Sequence, residues 1–229
     1  MMIQQINTGI RAKAIQQIFK TTYGLLVSIC ILMPNYGMAQ TDIIGDIRKQ
    51  QQIPLTSFEG YYQLPNKIAF ISFEQQDNIL YATQLWDKKN YELIRKDDTH
   101  FESKNEGYTI AFLKDSLSDF SQTKILGRIV CQRVLFDPNK VATLSESQLK
   151  LFAGTYIMAD DNNLKINIKS SAQGLLLTQL WDNKTVSFTP RSELFFLNED
   201  GTFPLTFSFA SGKVEKMTCY ENDVWIKAD

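Results

Sequence analysis

The segment Thr83–Asp87, which reads TQLWD, recurs without change at Thr178–Asp182, 95 positions further along the chain. A lysine stands two residues after each copy, Lys89 in the first case and Lys184 in the second. Five consecutive identities that include a tryptophan rarely arise by chance, so we interpret the repeat as an internal duplication. The duplication predicts two copies of one folding unit, and it does not specify a chemistry.

Similarity between the two halves extends on both sides of the repeated segment. Matching apolar and glycine positions precede each copy: Leu55, Phe58, Gly60 and Tyr62 in the first half, and Leu149, Phe152, Gly154 and Tyr156 in the second. The offset drifts by a few residues along the chain, as insertions in surface turns would cause. We therefore predict one unit at 53–138 and a second at 144–229.

Both units have the residue pattern of antiparallel β-structure. Leu164–Lys169 alternates apolar and polar residues, and Ile68–Phe73 is its more apolar counterpart. Turn residues divide each unit into about seven short strands, the last of them at Lys124–Val134 and Val214–Tyr220. The predicted fold is all-β, with two tandem units that each form a barrel or a strongly curved sheet. The sequence leaves open whether there are two closed barrels or one shared sheet.

Helix is scarce, and the clearest candidate is Ser145–Phe152. A capping box could form between Ser145 and Gln148, or between Thr143 and Glu146. Leu149 and Phe152 would then share one face, so we expect this helix to plug the end of a barrel.

The first 39 residues have the pattern of an export signal, which we expect to be cleaved. Three cations and no anion precede Asp42, and the apolar run Leu25–Met33 ends at Pro34 before the small-x-small sequence Gly37–Ala39. The run is too short to span a bilayer, so the mature protein is not expected to be an integral membrane protein. Residues 40–52 form a polar lead-in, and the expected location is periplasmic or extracellular.

Charge and cysteine content restrict the classes of partner. The formal net charge of −1 would become −4 after loss of the three signal-peptide cations, which disfavours binding to nucleic acid. Cys131 and Cys219 remain after cleavage, and we place them at equivalent positions of the two units. They could form a disulfide in an exported protein or pack as buried free thiols, and the strict geometry of a disulfide favours the thiols.

The second unit resembles the lipocalin-like C-terminal domain that accompanies serine peptidases and β-lactamase-related hydrolases. The resemblance is carried by Gly154-Thr155-Tyr156, Gln179, Phe188–Ser192 and Phe196. The first unit matches more loosely and has Lys96 and Asp97 where the Pro-x-Ser step would lie. The resemblance implies a lipocalin-like barrel without catalytic residues of its own, since the catalytic part of such proteins is a separate domain.

Alternation along the repeated strands suggests a ligand-lined lumen. If Gln84 and Trp86 face inward, each unit holds an amide and an indole in an apolar interior, as small-ligand pockets do. The candidate ligand-lining residues of the two units are Tyr62, Gln84, Trp86, Tyr156, Gln179 and Trp181. The alternative is that these side chains simply fill the barrels, as is usual for barrels of eight strands.

No constellation of residues predicts catalysis, a metal site or a cofactor. Ser147 and Lys150 have the spacing of a β-lactamase nucleophile motif but lack its companion elements. His100 is the only histidine, and with Glu102 it could form at most an acid–base pair without a nucleophile. We therefore expect a non-catalytic exported module that binds a partner protein, an envelope component or a small apolar ligand. The alternatives are a stand-alone hydrolase and the remnant regulatory domain of a β-lactamase-related peptidase.

Overall fold

The structure is a computed structural model that describes residues 52–117 and 119–228. The expected signal peptide, 1–39, and all but the last residue of the polar lead-in, 40–52, lie outside the described residues. Within the described part of the chain there are sixteen strands, one 3-10 helix and one α-helix. No helix among these residues is long and apolar enough to cross a membrane.

The first barrel consists of eight consecutive strands, each antiparallel to its neighbours. The last strand pairs with the first, with Tyr62 opposite Arg133, and this pairing closes the barrel. The strands are β1 (Gly60–Gln63), β2 (Phe70–Gln76), β3 (Ile79–Gln84), β4 (Asn90–Arg95), β5 (His100–Ser103), β6 (Thr109–Lys114), β7 (Phe120–Ile125) and β8 (Ile129–Val134).

The second barrel repeats this arrangement and closes where Tyr156 lies opposite Lys227. Two closed antiparallel barrels in tandem confirm the predicted fold class and show that the two units do not share one sheet. The strands are β9 (Gly154–Met158), β10 (Lys165–Ser171), β11 (Gly174–Gln179), β12 (Thr185–Pro190), β13 (Phe195–Asn198), β14 (Pro204–Ala210), β15 (Lys213–Cys219) and β16 (Asp223–Lys227).

Each barrel has eight strands, whereas the sequence suggested about seven. The stretch 124–134 is not one strand, because Leu126 and Gly127 take positive φ angles of 52° and 66° and turn the chain between β7 and β8. In the second barrel a similar turn at Tyr220, with φ of 52°, separates β15 from β16. The eighth strand is what allows the sheet to close on itself.

A short helix covers one end of each barrel, which we call the plug end. In the second barrel it is α1 (Glu146–Phe152), and the predicted capping box between Ser145 and Gln148 is present. Leu149 and Phe152 are buried on its inner face, as expected. In the first barrel a 3-10 helix at Leu55–Phe58 takes the same place and buries Phe58. The opposite end, where odd-numbered strands finish, is the open end.

The same polar contacts fasten both plugs. The Tyr156 hydroxyl donates to the Phe152 carbonyl oxygen at 2.7 Å, and the Tyr62 hydroxyl donates to that of Phe58 at 3.3 Å. A cation from the final strand adds a second bond: Lys227 donates to the Leu151 carbonyl, as Arg133 does to that of Glu59. The residues that donate these bonds are equivalent and lie 94 positions apart, Tyr62 with Tyr156 and Arg133 with Lys227, whereas the carbonyls that the two cations bind are not counterparts.

The glycine of each Gly-x-Tyr opening makes room for that cation. Gly154 has φ of 145°, and a Cβ atom there would lie 2.8 Å from Cε of Lys227. Gly60, with φ of 127°, would bring a Cβ atom to 3.2 Å from Nε of Arg133. A larger residue would be strained in this backbone region and would displace the cation from the plug carbonyl.

Strand pairing shows that Cys131 and Cys219 are not equivalent, contrary to the expectation from their positions near the unit ends. Cys131 lies in β8 and Cys219 in β15, and the residue that corresponds to Cys131 in the second barrel is Trp225. Both cysteines are buried and free, so the expectation of unbridged thiols is confirmed. Burial raises the pKa of Cys131 to about 11.

The two barrels meet through unlike surfaces. Phe70 of β2 and Phe136 of the linker between the barrels, residues 135–145, pack against Phe195 of β13, with ring centroids 6.1 and 5.6 Å away. The counterparts of Phe70 and Phe195 in the other barrel are Lys165 and His100, which are both exposed. A twofold axis would bring equivalent patches together. The contact is therefore heterologous, and the two units do not pair through equivalent surfaces.

Candidate functional site

The lumen of the first barrel is occupied by aromatic side chains. Tyr62 is fully buried, and its ring lies edge-on to Phe73 with centroids 5.2 Å apart. Desolvation raises the pKa of Tyr62 to about 12, so its hydroxyl remains a hydrogen-bond donor at neutral pH. The rings that meet in this core are Phe58, Tyr62, Phe73, Phe101, Phe112 and Phe120.

The second lumen is filled in the same way. Tyr156 is fully buried beside Phe207, and desolvation raises the pKa of its hydroxyl. Phe152 of α1 reaches into the barrel and lies 4.6 Å from Phe207 and 5.2 Å from Phe196, measured between ring centroids. Tyr62 and Tyr156 therefore hold the plugs and pack the cores.

Gln84 and Gln179 end their strands at the open ends of the barrels. Gln84 lines a cavity of about 40 Å³ with Tyr91, Ser103 and Tyr108. A space of this size holds a few water molecules at most, and sites for small molecules begin at about 300 Å³. Gln179 lies opposite Ile166 in the ladder and is half-buried.

Trp86 and Trp181 lie outside the lumens, so they do not line the interior of either barrel. Strands β3 and β11 end at Gln84 and Gln179, and each tryptophan belongs to the turn that follows. Their side chains are 51% and 48% exposed. Alternation along a strand holds only as far as the strand continues, and here it stops two residues before the tryptophan.

The aspartate and lysine of the repeated segment build this turn. Asp87 accepts a hydrogen bond from the Lys89 N–H, and Asp182 accepts the same bond from the Lys184 N–H, both at 3.1 Å. The lysine ammonium groups return to the same aspartates at 3.4 and 3.1 Å. Between them the chain takes positive φ, 61° at Lys88 and 58° in the second copy. The hydrogen bonds of the turn use the aspartate and the lysine and do not involve the tryptophan side chain.

The two tryptophans have different neighbours. Trp181 lies parallel to Trp225, which is only 7% exposed, with ring centroids 6.4 Å apart and an interplanar angle of 15°. The first barrel has Cys131 where the second has Trp225, so Trp86 has no equivalent stacking partner on β8. The repeated tryptophan is thus about half exposed in both barrels, although only Trp181 stacks on a second tryptophan.

Exposed tryptophan and tyrosine side chains gather at the open ends. Among the described residues, four of these side chains are exposed: Trp86, Tyr108, Trp181 and Tyr220. Each lies in a turn that follows an odd-numbered strand, so every one is at an open end and each barrel has two. We call these four residues the open-end aromatics.

The sequence candidates for catalysis are engaged in separate surface contacts. The Ser147 hydroxyl lies 2.9 Å from that of Ser145, and the Lys150 ammonium pairs with Glu146 at 2.6 Å, which lowers the pKa of Glu146. A serine nucleophile requires a base within hydrogen-bond reach. Ser147 instead meets a second hydroxyl that belongs to the helix cap.

His100 and Glu102 contact different partners. Nδ1 of His100 lies 2.9 Å from Asp97, and Glu102 pairs with Lys96 at 3.1 Å. Hydrogen bonds from the Thr99 N–H and the His100 side chain lower the pKa of Asp97. In the part of the chain that the structure describes, acids, histidine and cysteines form no group of three able to hold a metal ion.

The position of Asp97 corrects the comparison between the units. Asp97 accepts hydrogen bonds from the Thr99 and His100 N–H groups, and the Ser192 hydroxyl accepts the same pair of bonds in the second barrel. Asp97 is thus the counterpart of Ser192. The ladder register then places Arg95, rather than Lys96, at the position of the proline.

Neither a scan of protein-family models nor a search of curated proteins gave a match.

Proposed function

We propose that this protein is an exported, non-catalytic binding module with two lipocalin-like barrels, and that the open-end aromatics form the surface that binds a partner protein. The observation that carries the proposal is the identical, half-exposed tryptophan in the same turn of two barrels with aromatic-filled interiors. A filled barrel offers its surface rather than its lumen for recognition.

Exposed tryptophan and tyrosine side chains are suited to this role. They contribute large contact areas at a small cost in side-chain entropy, and they are enriched among the residues that dominate binding energy at protein interfaces. The repeated turn needs its aspartate and lysine for structure, as the hydrogen bonds at Asp87 and Asp182 show. Retention of the tryptophan in both copies is then best explained by recognition.

Two observations support a non-catalytic role. Ser147 and Lys150 have different partners, and so do His100 and Glu102, so neither pair forms a nucleophile–base contact. The resemblance of the second unit to domains appended to serine hydrolases agrees with an accessory role beside an enzyme.

The test compares the wild-type chain with a Trp86→Ala, Trp181→Ala variant. Each protein is immobilised, and the envelope proteins that it retains are quantified by mass spectrometry. The control carries Leu117→Ala and Leu194→Ala, which remove one exposed apolar side chain from the plug end of each barrel. Interface tryptophans often contribute 2 kcal/mol or more, so we expect retention of the specific partner to fall at least about tenfold in the tryptophan variant only. Equal retention by all three proteins contradicts the proposal.

A further inference from the structure

A groove of about 330 Å³ lies at the plug end of the second barrel, away from the open-end aromatics. It separates the linker from the barrel wall, and we call it the linker groove. Its lining residues are Val141, Ala142, Thr143, Leu144, Leu149, Ala172, Gln173, Thr189 and Pro190.

Fixed elements form the walls of the linker groove. The Ala142 N–H donates to the Pro190 carbonyl at 2.9 Å, which ties the extended linker to the end of β12. The capping box at Ser145 fixes the point where the linker enters α1. Leu149, only 4% exposed, connects the groove to the barrel core. The groove is thus part of the folded framework.

The opposite wall is the turn between β10 and β11. Its geometry depends on Gly174, where φ is 154° and a Cβ atom would lie 2.0 Å from the Phe188 carbonyl oxygen. No other residue allows this approach of the turn to β12, so Gly174 holds Ala172 and Gln173 at the edge of the groove.

The chemistry of the lining selects one class of ligand. None of the nine lining residues is ionisable, and six are aliphatic. Thr143 and Gln173 supply a hydroxyl group and an amide, and the Thr189 hydroxyl, which donates to the Leu197 carbonyl at 3.4 Å, supplies an acceptor. The volume falls at the lower end of the range for small-molecule sites and is far too small for a folded partner. By contrast, a cleft of about 260 Å³ between the barrels includes Glu221 and Asp223.

We propose that the linker groove binds a small uncharged ligand with an aliphatic chain and a hydrogen-bonding head such as a hydroxyl or an amide. The aliphatic side chains remove the ligand chain from water, and the two threonines and Gln173 satisfy the head group. A carboxylate or an ammonium head would lose hydration without gaining a counter-charge in the groove.

The experiment uses the full chain and three probes that share one alkyl chain: 1-octanol, octanoate and octylammonium. Calorimetry gives the dissociation constants, and methyl NMR shifts of Leu149 and Thr189 locate the binding. We expect 1-octanol to shift these methyl groups and to bind at least about tenfold more tightly than either ion. Shortening the alcohol by one methylene should weaken binding roughly fourfold.

Ala172→Phe and, separately, Thr143→Phe fill the groove from exposed positions, and each should weaken octanol binding at least tenfold. Leu117→Phe, at an exposed turn of the first barrel, is the control and should leave the dissociation constant unchanged. If none of the three probes shifts the methyl signals, the proposal is overturned. A groove already covered by another part of the chain would give this result. Equal binding by both groove variants and the wild type, or tighter binding of either ion, also overturns it. The groove is separate from Trp86 and Trp181, so either test can fail alone.

Discussion

Removal of the tyrosine hydroxyl that fastens each plug should destabilise the protein, and the second barrel should lose more than the first. Tyr156→Phe deletes a fully buried hydrogen bond of 2.7 Å, and Tyr62→Phe deletes its weaker counterpart of 3.3 Å. A neutral hydrogen bond contributes about 1 kcal/mol, and leaving a buried carbonyl without its partner costs about 1–3 kcal/mol. We therefore expect Tyr156→Phe to lower the free energy of unfolding by about 1–2 kcal/mol and Tyr62→Phe by about 1 kcal/mol.

Urea unfolding followed by tryptophan fluorescence measures both changes, because Trp86 reports the first barrel and Trp181 and Trp225 report the second. The control is Tyr81→Phe, which removes a hydroxyl from a half-buried strand residue and should change stability by less than about 0.5 kcal/mol. If Tyr156→Phe unfolds at the same urea concentration as Tyr81→Phe, the hydroxyl does not hold the plug, and the argument from the duplicated contacts is refuted.

Three further predictions concern groups whose environments the structure defines. Burial, reinforced by the charge of Asp223, raises the pKa of Cys219 to about 12 from 9.0. Above pH 9 the unfolded state binds fewer protons than the folded state, so this thiol should lower the free energy of unfolding by about 1.4 kcal/mol per pH unit between pH 9 and pH 12. Urea unfolding measured as a function of pH should therefore show a smaller loss of stability with rising pH in Cys219→Ala than in the wild type. The same dependence on pH in both proteins would contradict the raised pKa of Cys219. Cys131 and Cys219 should react with a thiol reagent only after unfolding, and rapid native labelling would show that they are accessible. A serine-reactive probe should leave Ser147 unlabelled, whereas labelling that disappears in Ser147→Ala would identify a hydrolase.

Local signals account for the parts of the fold that the sequence predicted. Period-two alternation identifies strands because it depends on one buried face, and it is visible in 164–169 without any knowledge of the partner strand. The capping box at Ser145 and Gln148 is likewise a property of four consecutive residues. The duplication then required the two units to share one architecture, and the two closed barrels agree with it.

The features that the sequence did not predict depend on where strands end. Alternation placed Trp86 on the same face as Gln84, but the hydrogen bond from the Lys89 N–H to Asp87 starts a turn before that face continues. The aspartate two residues before a lysine was a readable turn signal in both copies. Cys131 and Cys219 were matched by offset alone, and only the strand register separates β8 from β15.

The contact between the barrels also had a signal in the sequence. Phe70 is replaced by Lys165 in the second unit, and Phe195 corresponds to His100 in the first. Apolar residues that appear in one copy alone indicate surfaces that only one copy buries, and such a pattern is incompatible with an isologous interface. Comparison of the copies at exposed positions would therefore have predicted the heterologous contact.

Acrylamide quenching of single-tryptophan variants tests most directly whether the repeated tryptophans face solvent rather than a ligand-filled lumen. Three proteins, each retaining one tryptophan and carrying phenylalanine at the other two positions, report Trp86, Trp181 and Trp225 separately. The account predicts ready quenching of Trp86 and Trp181, which are about half exposed, and protection of Trp225, which is 7% exposed. Protection of Trp86 and Trp181 to the level of Trp225 would place them inside the barrels and contradict a surface-mediated function.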